Sequence, residues 1–152
     1  MYTRKIVIAV VVATISVFIY YAFSPLLRTI VVDDEDLSEK TATEILDETS
    51  QGPFPIHATT GHPAEGYVRI IKSIEETILR FESYKTINGP DLHIYLAKDL
   101  DAKEYIDLGP IRGTEGNINY AIPGNITVSE YAYVLVWCEP FSVLFNYAEL
   151  KG

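Results

Sequence analysis

The stretch "YVLVWCEPFSVLFNYAEL", from Tyr133 to Leu150, decides the fold class of this chain. Side chains alternate between the two faces of a strand, and here both alternating sets are apolar. One set is Val134, Val136 and Cys138, and the other is Tyr133, Leu135 and Trp137. A strand with two apolar faces is typical of the centre of a sheet. Because Glu139 and Pro140 interrupt the run, the second apolar segment is predicted to return as an antiparallel neighbour.

Two earlier runs carry the same strand signal and stand close together. "YVRIIKSI" (67–74) and "TILRFESY" (77–84) are separated only by two glutamates, a spacing that predicts a hairpin. In the second run Leu79, Phe81 and Ser83 fall on one face by the period of two. We expect that face to point into the core.

A further strand is predicted inside "INGPDLHIYLAKDLD" (87–101), directly after a turn at 88–90. In it Leu92, Ile94 and Leu96 alternate with His93 and Tyr95. The first set belongs to the core by this pattern, and the second set belongs to the opposite face.

Turns recur along the rest of the chain, and no long amphipathic helix separates them. They are predicted at 108–116 and at 122–125, with the short strand "NINYAI" (117–122) between them. This pattern of short strands and frequent turns predicts a mainly β domain, either an antiparallel β-sandwich or a barrel.

The N-terminal part of the chain differs in character from this domain. The 22 residues from Ile6 to Leu27 carry no charge, and as a helix they would extend about 33 Å. Arg4 and Lys5 precede the run, so the positive-inside rule places the C-terminal domain outside the cytoplasm. The alternative is a cleavable signal peptide, but the run exceeds the usual core of about 7–15 residues. We therefore expect a cytoplasmic N-terminus and a single transmembrane helix within residues 1–28, and a location in the cell membrane.

Residues 29–51 are expected to form an acidic stalk between this anchor and the β domain at 52–152. Within it "DDEDLSEKTATEILDETSQ" (33–51) holds eight carboxylates against one lysine and few large apolar groups. Such a composition favours a solvated segment over a packed one.

Overall charge and motif content exclude several functions. The net charge is −9, which disfavours nucleic acid as a partner. The sequence has no nucleophile elbow, no phosphate-binding glycine loop and no zinc-protease helix motif. We therefore expect no catalytic residues and no complete enzyme active site. A single cysteine forms no internal disulfide, so the core must hold the fold together.

Three segments resemble the electron-transfer DM-thirteen domain, a module of Skeletor-like proteins often described beside the DOMON domain. They are "FESYKTINGPDLHIYL", "GTEGNINYAIP" and the Tyr133–Leu150 stretch, and the likeness extends over roughly 52–150. The resemblance implies an extracytoplasmic β-sandwich and maps the characteristic cysteine of that family onto Cys138. It also implies electron transfer with a redox or cell-surface partner, through the thiol or a prosthetic group such as haem.

The residues around Cys138 leave its role open between a redox centre and a buried structural thiol. A thiolate needs nearby positive charge, and neither Trp137 nor Glu139 supplies it. No histidine or methionine follows Cys138, so a blue-copper site is disfavoured and no metal site is expected. The residues considered as neighbours of this candidate centre are His93, Asp91, Trp137 and Tyr95. The alternative function is a non-catalytic ligand-binding or adhesion module.

Three further residues have weaker signals. His57 and His62 are interpreted as solvated loop histidines, because their separation specifies no metal site. Asn125 opens the sequence "NIT", a sequon for glycosylation on the predicted outer side.

Overall fold

The computed structural model describes residues 2–23, 28–35 and 49–150. These residues contain one helix, α1 (Tyr2–Phe23), one short 3-10 turn at Val128–Glu130, and nine strands. The strands are β1 (Val31–Asp33), β2 (Thr49–Ala58), β3 (Ala64–Lys72), β4 (Thr77–Thr86), β5 (Leu92–Ala97), β6 (Tyr105–Pro110), β7 (Glu115–Ile122), β8 (Tyr133–Cys138) and β9 (Val143–Glu149).

All nine strands belong to one sheet, in the order β1-β7-β4-β3-β2-β9-β8-β5-β6. The sheet is strongly curled into a half-barrel. Strand β2 connects its two halves, because the residues up to Pro55 pair with β3 and those from Ile56 pair with β9. The expectation of a mainly β domain is confirmed. In place of the expected sandwich or barrel, the strands form a single curled sheet. The sheet is continuous because β2 is long enough to pair with β3 in one half and with β9 in the other.

The concave side of the curl holds the main hydrophobic core. As predicted, β8 has buried apolar side chains on both of its faces. Val134, Val136 and Cys138 are buried in this main core. Leu135 belongs to a smaller cluster on the opposite face, together with Tyr95. Both β5 and β9 pair antiparallel with β8, so the predicted central strand is confirmed.

The predicted hairpin of β3 and β4 is confirmed, but the prediction that Ser83 points into the core was wrong. Ser83 is exposed and has a φ of 48°, whereas Tyr84 is buried with 1% exposure. The register shifts between Phe81 and Tyr84 on the β7 side. This bulge inserts an extra residue and reverses the alternation, so the period of two cannot be extended across it.

Both edges of the sheet depart from the sequence prediction. Residues 31–33, which were assigned to the acidic stalk, lie instead in the edge strand β1, and residues 49–51, also assigned to the stalk, lie in the inner strand β2. Strand β1 pairs parallel with β7, and Asp34 beyond it contacts the sheet. The other edge strand, β6, includes residues 108–110, which were predicted to be a turn. The rest of the predicted stalk, residues 36–48, lies outside the described residues.

Helix α1 comprises most of the uncharged N-terminal run, and its side chains are described from Lys5 to Tyr20. Among the described residues no helix combines the length and the hydropathy that a membrane span requires. Residues 24–27, the end of the predicted span, lie outside the described residues.

Candidate functional site

Cys138 ends β8 and lies inside the curl, where it is 1% exposed. Its Sγ donates a hydrogen bond to the main-chain oxygen of Pro90 at 3.0 Å. Burial raises the pKa of this thiol, the Phe141 amide lowers it, and the nearby Asp91 carboxylate raises it further, with a net increase. The thiol is therefore held in its protonated form, in which it is a poor nucleophile and a poor metal ligand.

Two surface turns cover the thiol. One precedes β5, where Asp91 has a φ of 51°, and the other joins β8 to β9, where Ser142 has a φ of 50°. The main-chain amide of Glu139 donates a hydrogen bond to the main-chain oxygen of Asp91 at 3.1 Å, and this bond links the two turns. The sulfur of Cys138 contacts both turns, through the Pro90 oxygen and the Phe141 amide.

Three of the four predicted neighbours lie across the sheet from Cys138. His93 follows Leu92 and precedes Ile94, both of which are in the main core, so the imidazole lies on the outer face. Trp137 and Tyr95 belong to the cluster on that same outer face. Among the four, only Asp91 lies near both the Cys138 thiol and the His93 ring on the outer face. The structure therefore separates His93, Tyr95 and Trp137 from the thiol, because neighbours in a strand point to opposite faces.

The separated residues meet others on the outer face, and we call Asp91, His93, Tyr95, Asp107 and Glu139 the outer-face cluster. Within it the His93 Nδ1 lies 2.9 Å from an Asp107 oxygen, and the Nε2 lies 3.4 Å from an Asp91 oxygen. One ligand atom from each of His93, Asp107 and Glu139 lies within 4.8 Å of the other two. Histidine and carboxylates in this arrangement can bind a cation or share a proton.

Tyr95 anchors the outer-face cluster from below. Its ring is 1% exposed and its hydroxyl donates a hydrogen bond to Glu139 Oε1. The ring stacks on Tyr105 with centroids 4.0 Å apart and on Trp137 at 6.3 Å. Burial, the Glu139 hydrogen bond and the Tyr105 hydroxyl all raise the pKa of Tyr95 well above its usual value. Its phenol therefore stays a hydrogen-bond donor at neutral pH.

Sequence reasoning missed Asp107 and Tyr105 in this arrangement and treated Glu139 only as a neighbour of the thiol in the chain. Asp107 is the cross-strand partner of Tyr95, and the register of this pair shifts next to His93. The signal in the sequence is the alternation of β6, which places Tyr105 and Asp107 two residues apart on one face. This alternation was overlooked because Gly109 and Pro110, at the end of β6, were interpreted as a turn.

The interpretation of His57 and His62 as solvated loop residues was wrong in part. His57 is exposed, but it lies in β2 and stacks on Tyr147 with ring centroids 5.1 Å apart. His62 is half-buried, stacks on Phe145 at 4.0 Å and lies 3.1 Å from the Thr59 hydroxyl. Aromatic contacts account for both rings. Asn125 is exposed in a turn, so the glycosylation sequon stays a prediction.

The surroundings of Cys138 do not fit a haem iron held by this residue. The Sγ is engaged with Pro90, and the strand partners of Cys138 are Leu92 and Val143. His93, the other candidate ligand beside this thiol, lies on the opposite face of the sheet. The apolar core already occupies the space beside the sulfur.

Comparison with known families matches residues 56–150 to the family model described as "Electron transfer DM13". The matched region includes both Cys138 and the outer-face cluster, and it comprises more than half of the chain. No curated protein and no solved structure matches this chain.

Proposed function

This chain belongs to the electron-transfer DM13 family, and on that premise we propose that it is an accessory electron-transfer module anchored in a membrane. The observation that carries this proposal is the family match over residues 56–150, which extends across β3 to β9. The domain itself faces the extracytoplasmic side in this proposal, where a redox or cell-surface partner reaches it.

Cys138 is the redox candidate within the module. It is the only thiol of the chain, and the family match includes it. The two linked turns above it give it a short path to the surface, either by opening or by electron passage through them. Because the pKa of the thiol is raised, its chemistry depends on that opening or on a partner that accepts its proton.

The membrane anchor is supported by the composition and exposure of α1. Side chains from Lys5 to Tyr20 are all exposed, and those from Ile6 onward are uncharged. A large exposed apolar surface is characteristic of a membrane or protein contact. The run from Ile6 to Leu27 is long enough to cross the hydrocarbon layer.

The redox proposal is tested on the full chain, purified in detergent from its natural host. We expect a reversible redox couple between the Cys138 thiol and its mixed disulfide with glutathione, formed by exchange with oxidised glutathione that releases one glutathione thiol, and this couple should disappear in Cys138→Ser. The matched control is Ser142→Ala, which alters the covering turn without touching the thiol and should keep the couple. A chain with no redox couple, or with one unchanged by Cys138→Ser, would refute the role of this thiol.

The anchor and its orientation need a separate test. The chain should remain in membranes after an alkaline carbonate wash, and protease added to intact cells should digest the domain after Gly52. In a host with N-glycosylation, the chain should also gain mass that Asn125→Gln removes. Release by the wash, or protection of the domain inside sealed cells, would contradict this part of the proposal.

A second candidate function is a non-catalytic ligand-binding or adhesion module with a structural cysteine. The observation that favours it is the burial of Cys138 together with its hydrogen bond to Pro90. In that case a thiol reagent should react only at the rate of unfolding. Fast reaction of the folded chain at pH 8 would argue for the redox module instead.

A further inference from the structure

The outer-face cluster contains the elements of a cation site, to which neither the family description nor the proposed role of Cys138 assigns a function. Three side chains from separate elements converge there: His93 from β5, Asp107 from β6 and Glu139 from the turn after β8. We propose that His93, Asp107 and Glu139 bind a first-row divalent transition-metal ion on the sheet face opposite Cys138.

The spacing of the ligand atoms suits such an ion. The three atoms lie within 4.8 Å of one another, and the Nδ1 of His93 is 2.9 Å from Asp107 Oδ2. Ligands at about 2.0–2.2 Å from a common metal are separated by roughly 3–4 Å. The Glu139 carboxylate is exposed and follows the end of β8, so a small side-chain movement closes the remaining gap.

Each carboxylate is oriented through one oxygen and leaves its other oxygen for the ion. Glu139 Oε1 accepts the Tyr95 hydroxyl, and Asp107 Oδ1 accepts the Gly109 amide at 2.8 Å. The buried ring of Tyr95 cannot move away, since it stacks between Tyr105 and Trp137. Hydrogen bonds that fix ligating carboxylates in this way are a regular feature of metal sites.

His93 is also supported in the manner of a metal ligand. Its Nδ1 faces Asp107, while Asp91 Oδ1 lies 3.4 Å from the Nε2 on the other side of the ring. A carboxylate on the second nitrogen fixes the tautomer and the orientation of a ligating imidazole. Asp91 is therefore assigned as a positioning residue, and His93, Asp107 and Glu139 as the ligands.

The charge of the cluster favours a cation. Some other carboxylates of the sheet and its adjoining segments pair with arginine, as Asp34 does with Arg112 and Glu82 with Arg69. Over 28–35 and 49–150, none of Asp91, Asp107 and Glu139 forms an ion pair with lysine or arginine. A divalent ion would neutralise most of this excess negative charge.

The mixture of ligands indicates the class of ion. Carboxylates alone suit magnesium and calcium, whereas an imidazole shifts the preference toward zinc, iron, cobalt and copper. A competing explanation is a protonated His93 that bridges two carboxylates without any metal. The two explanations differ in whether a transition metal saturates the cluster with one equivalent.

Trp137 provides a direct readout of binding, because it is the only tryptophan of the chain and stacks on Tyr95 beside Glu139. Untagged full-length chain in detergent is stripped with a chelator and titrated with Co²⁺, a paramagnetic quencher. We expect quenching of the Trp137 fluorescence that saturates at one equivalent. Zn²⁺ should reverse it by competition, while Ca²⁺ and Mg²⁺ at the same concentration should not.

The variants for this test keep the hydrogen bonds that support the fold. Asp107→Asn retains an acceptor for the Gly109 amide, and Glu139→Gln retains one for Tyr95. Each should raise the Co²⁺ concentration for half-saturation at least about tenfold, and His93→Ala should do the same. His62→Ala and Glu104→Gln are the matched controls and should leave it unchanged.

The proposal would be overturned by any of three results. These are no saturable quenching, quenching that Ca²⁺ reverses as well as Zn²⁺ does, or equal affinity in Asp107→Asn, Glu139→Gln and the unmodified chain. Because the measurement involves neither the thiol nor any electron transfer, its failure leaves the redox proposal for Cys138 unaffected.

Discussion

Single residues decide the chemistry of this chain through the face of the sheet on which they lie. Cys138 and Trp137 are adjacent in sequence, yet one lies in the main core and the other on the outer face. The period of two predicted this separation correctly for β5 and β8. It did not predict that the outer face would gather more polar chemistry than the thiol itself.

Replacement of Cys138 tests whether its hydrogen bond stabilises the fold. We expect Cys138→Ala to lower the free energy of unfolding by about 1–2 kcal/mol, because it leaves a small cavity and an unpaired Pro90 carbonyl. Cys138→Ser keeps a donor for that carbonyl and should cost no more than the alanine variant. Urea unfolding measures both changes. A serine variant less stable than the alanine variant would contradict a stabilising role for the hydrogen bond to Pro90.

The alternation pattern mispredicted burial for residues that lie next to a bulge or that contact a partner far away in the sequence. Arg80 falls on the predicted outer side of β4, yet it is only 4% exposed and donates to Asn119 Oδ1 at 2.8 Å. Its partner lies 39 positions away on β7. Burial of this kind depends on which strands become neighbours, and alternation within one strand carries no such information.

Among the secondary-structure elements, the central strands were predictable and the edge strands were not. β8 and β9 have long apolar runs that suit only the interior of a sheet. β1 has three residues and β6 ends in Gly109 and Pro110, so neither resembles a strand in isolation. Both become strands because a neighbouring strand offers them hydrogen bonds. The ligand Asp107 was missed for this reason, since its position depends on the pairing of β6.

A glycine controls the docking of β1 on β7. Gly116 has a φ of +117°, and a Cβ at this position would overlap the carbonyl oxygen of its partner Val32. We expect Gly116→Ala to detach residues 28–35 from the sheet and to lower the melting temperature. Hydrogen exchange of the Asp34 amide, which donates to the Asn117 oxygen, reports the detachment.

The matched control for this change is Gly124→Ala, because a Cβ there meets no atom within 4 Å. It should leave both the exchange rate and the melting temperature nearly unchanged. If Gly116→Ala behaved like this control, the close approach of β1 to β7 would be wrong.

The same segment should detach at acid pH. Burial raises the pKa of Asp34, but the Asn119 amide and Arg112 lower it more, so the net pKa is below the usual value. A lowered pKa contributes stability above the unfolded value of about 3.9, and this contribution is lost as the pH falls through the folded pKa. Hydrogen exchange of residues 28–35 should therefore accelerate below about pH 4.

Asp34→Asn removes this titration and should make the exchange fast at neutral pH as well. Asp33→Asn is the control, since an asparagine there still accepts the Asn117 amide hydrogen bond. An unmodified chain whose exchange in this segment did not change between pH 6 and pH 3, beyond the intrinsic effect of pH, would contradict the role of Asp34.

For the whole molecule, buried phenols make the fold sensitive to alkali. Burial raises the pKa of Tyr120 to about 12 and raises that of Tyr84 further above its usual value. Unfolded phenols ionise near pH 10, so the folded state binds more protons above that pH. Stability is therefore complete below about pH 10 and is lost as the pH rises toward the folded values.

Urea unfolding between pH 9 and pH 12 measures this loss. Tyr84→Phe removes one titrating phenol and should make the decline with pH shallower, although it also loses the hydrogen bond to Asn146. Tyr67→Phe is the control, because Tyr67 is 48% exposed and should not alter the slope. Equal slopes in both variants would exclude Tyr84 as a source of alkaline instability.

The short connection between α1 and β1 limits how far the sheet can lie from any bilayer that holds the helix. Helix α1 ends at Phe23 and β1 begins at Val31, so only seven residues join them. A fully extended chain of that length reaches about 25 Å. The β1 edge of the half-barrel would then be tethered within that distance of the lipid headgroups.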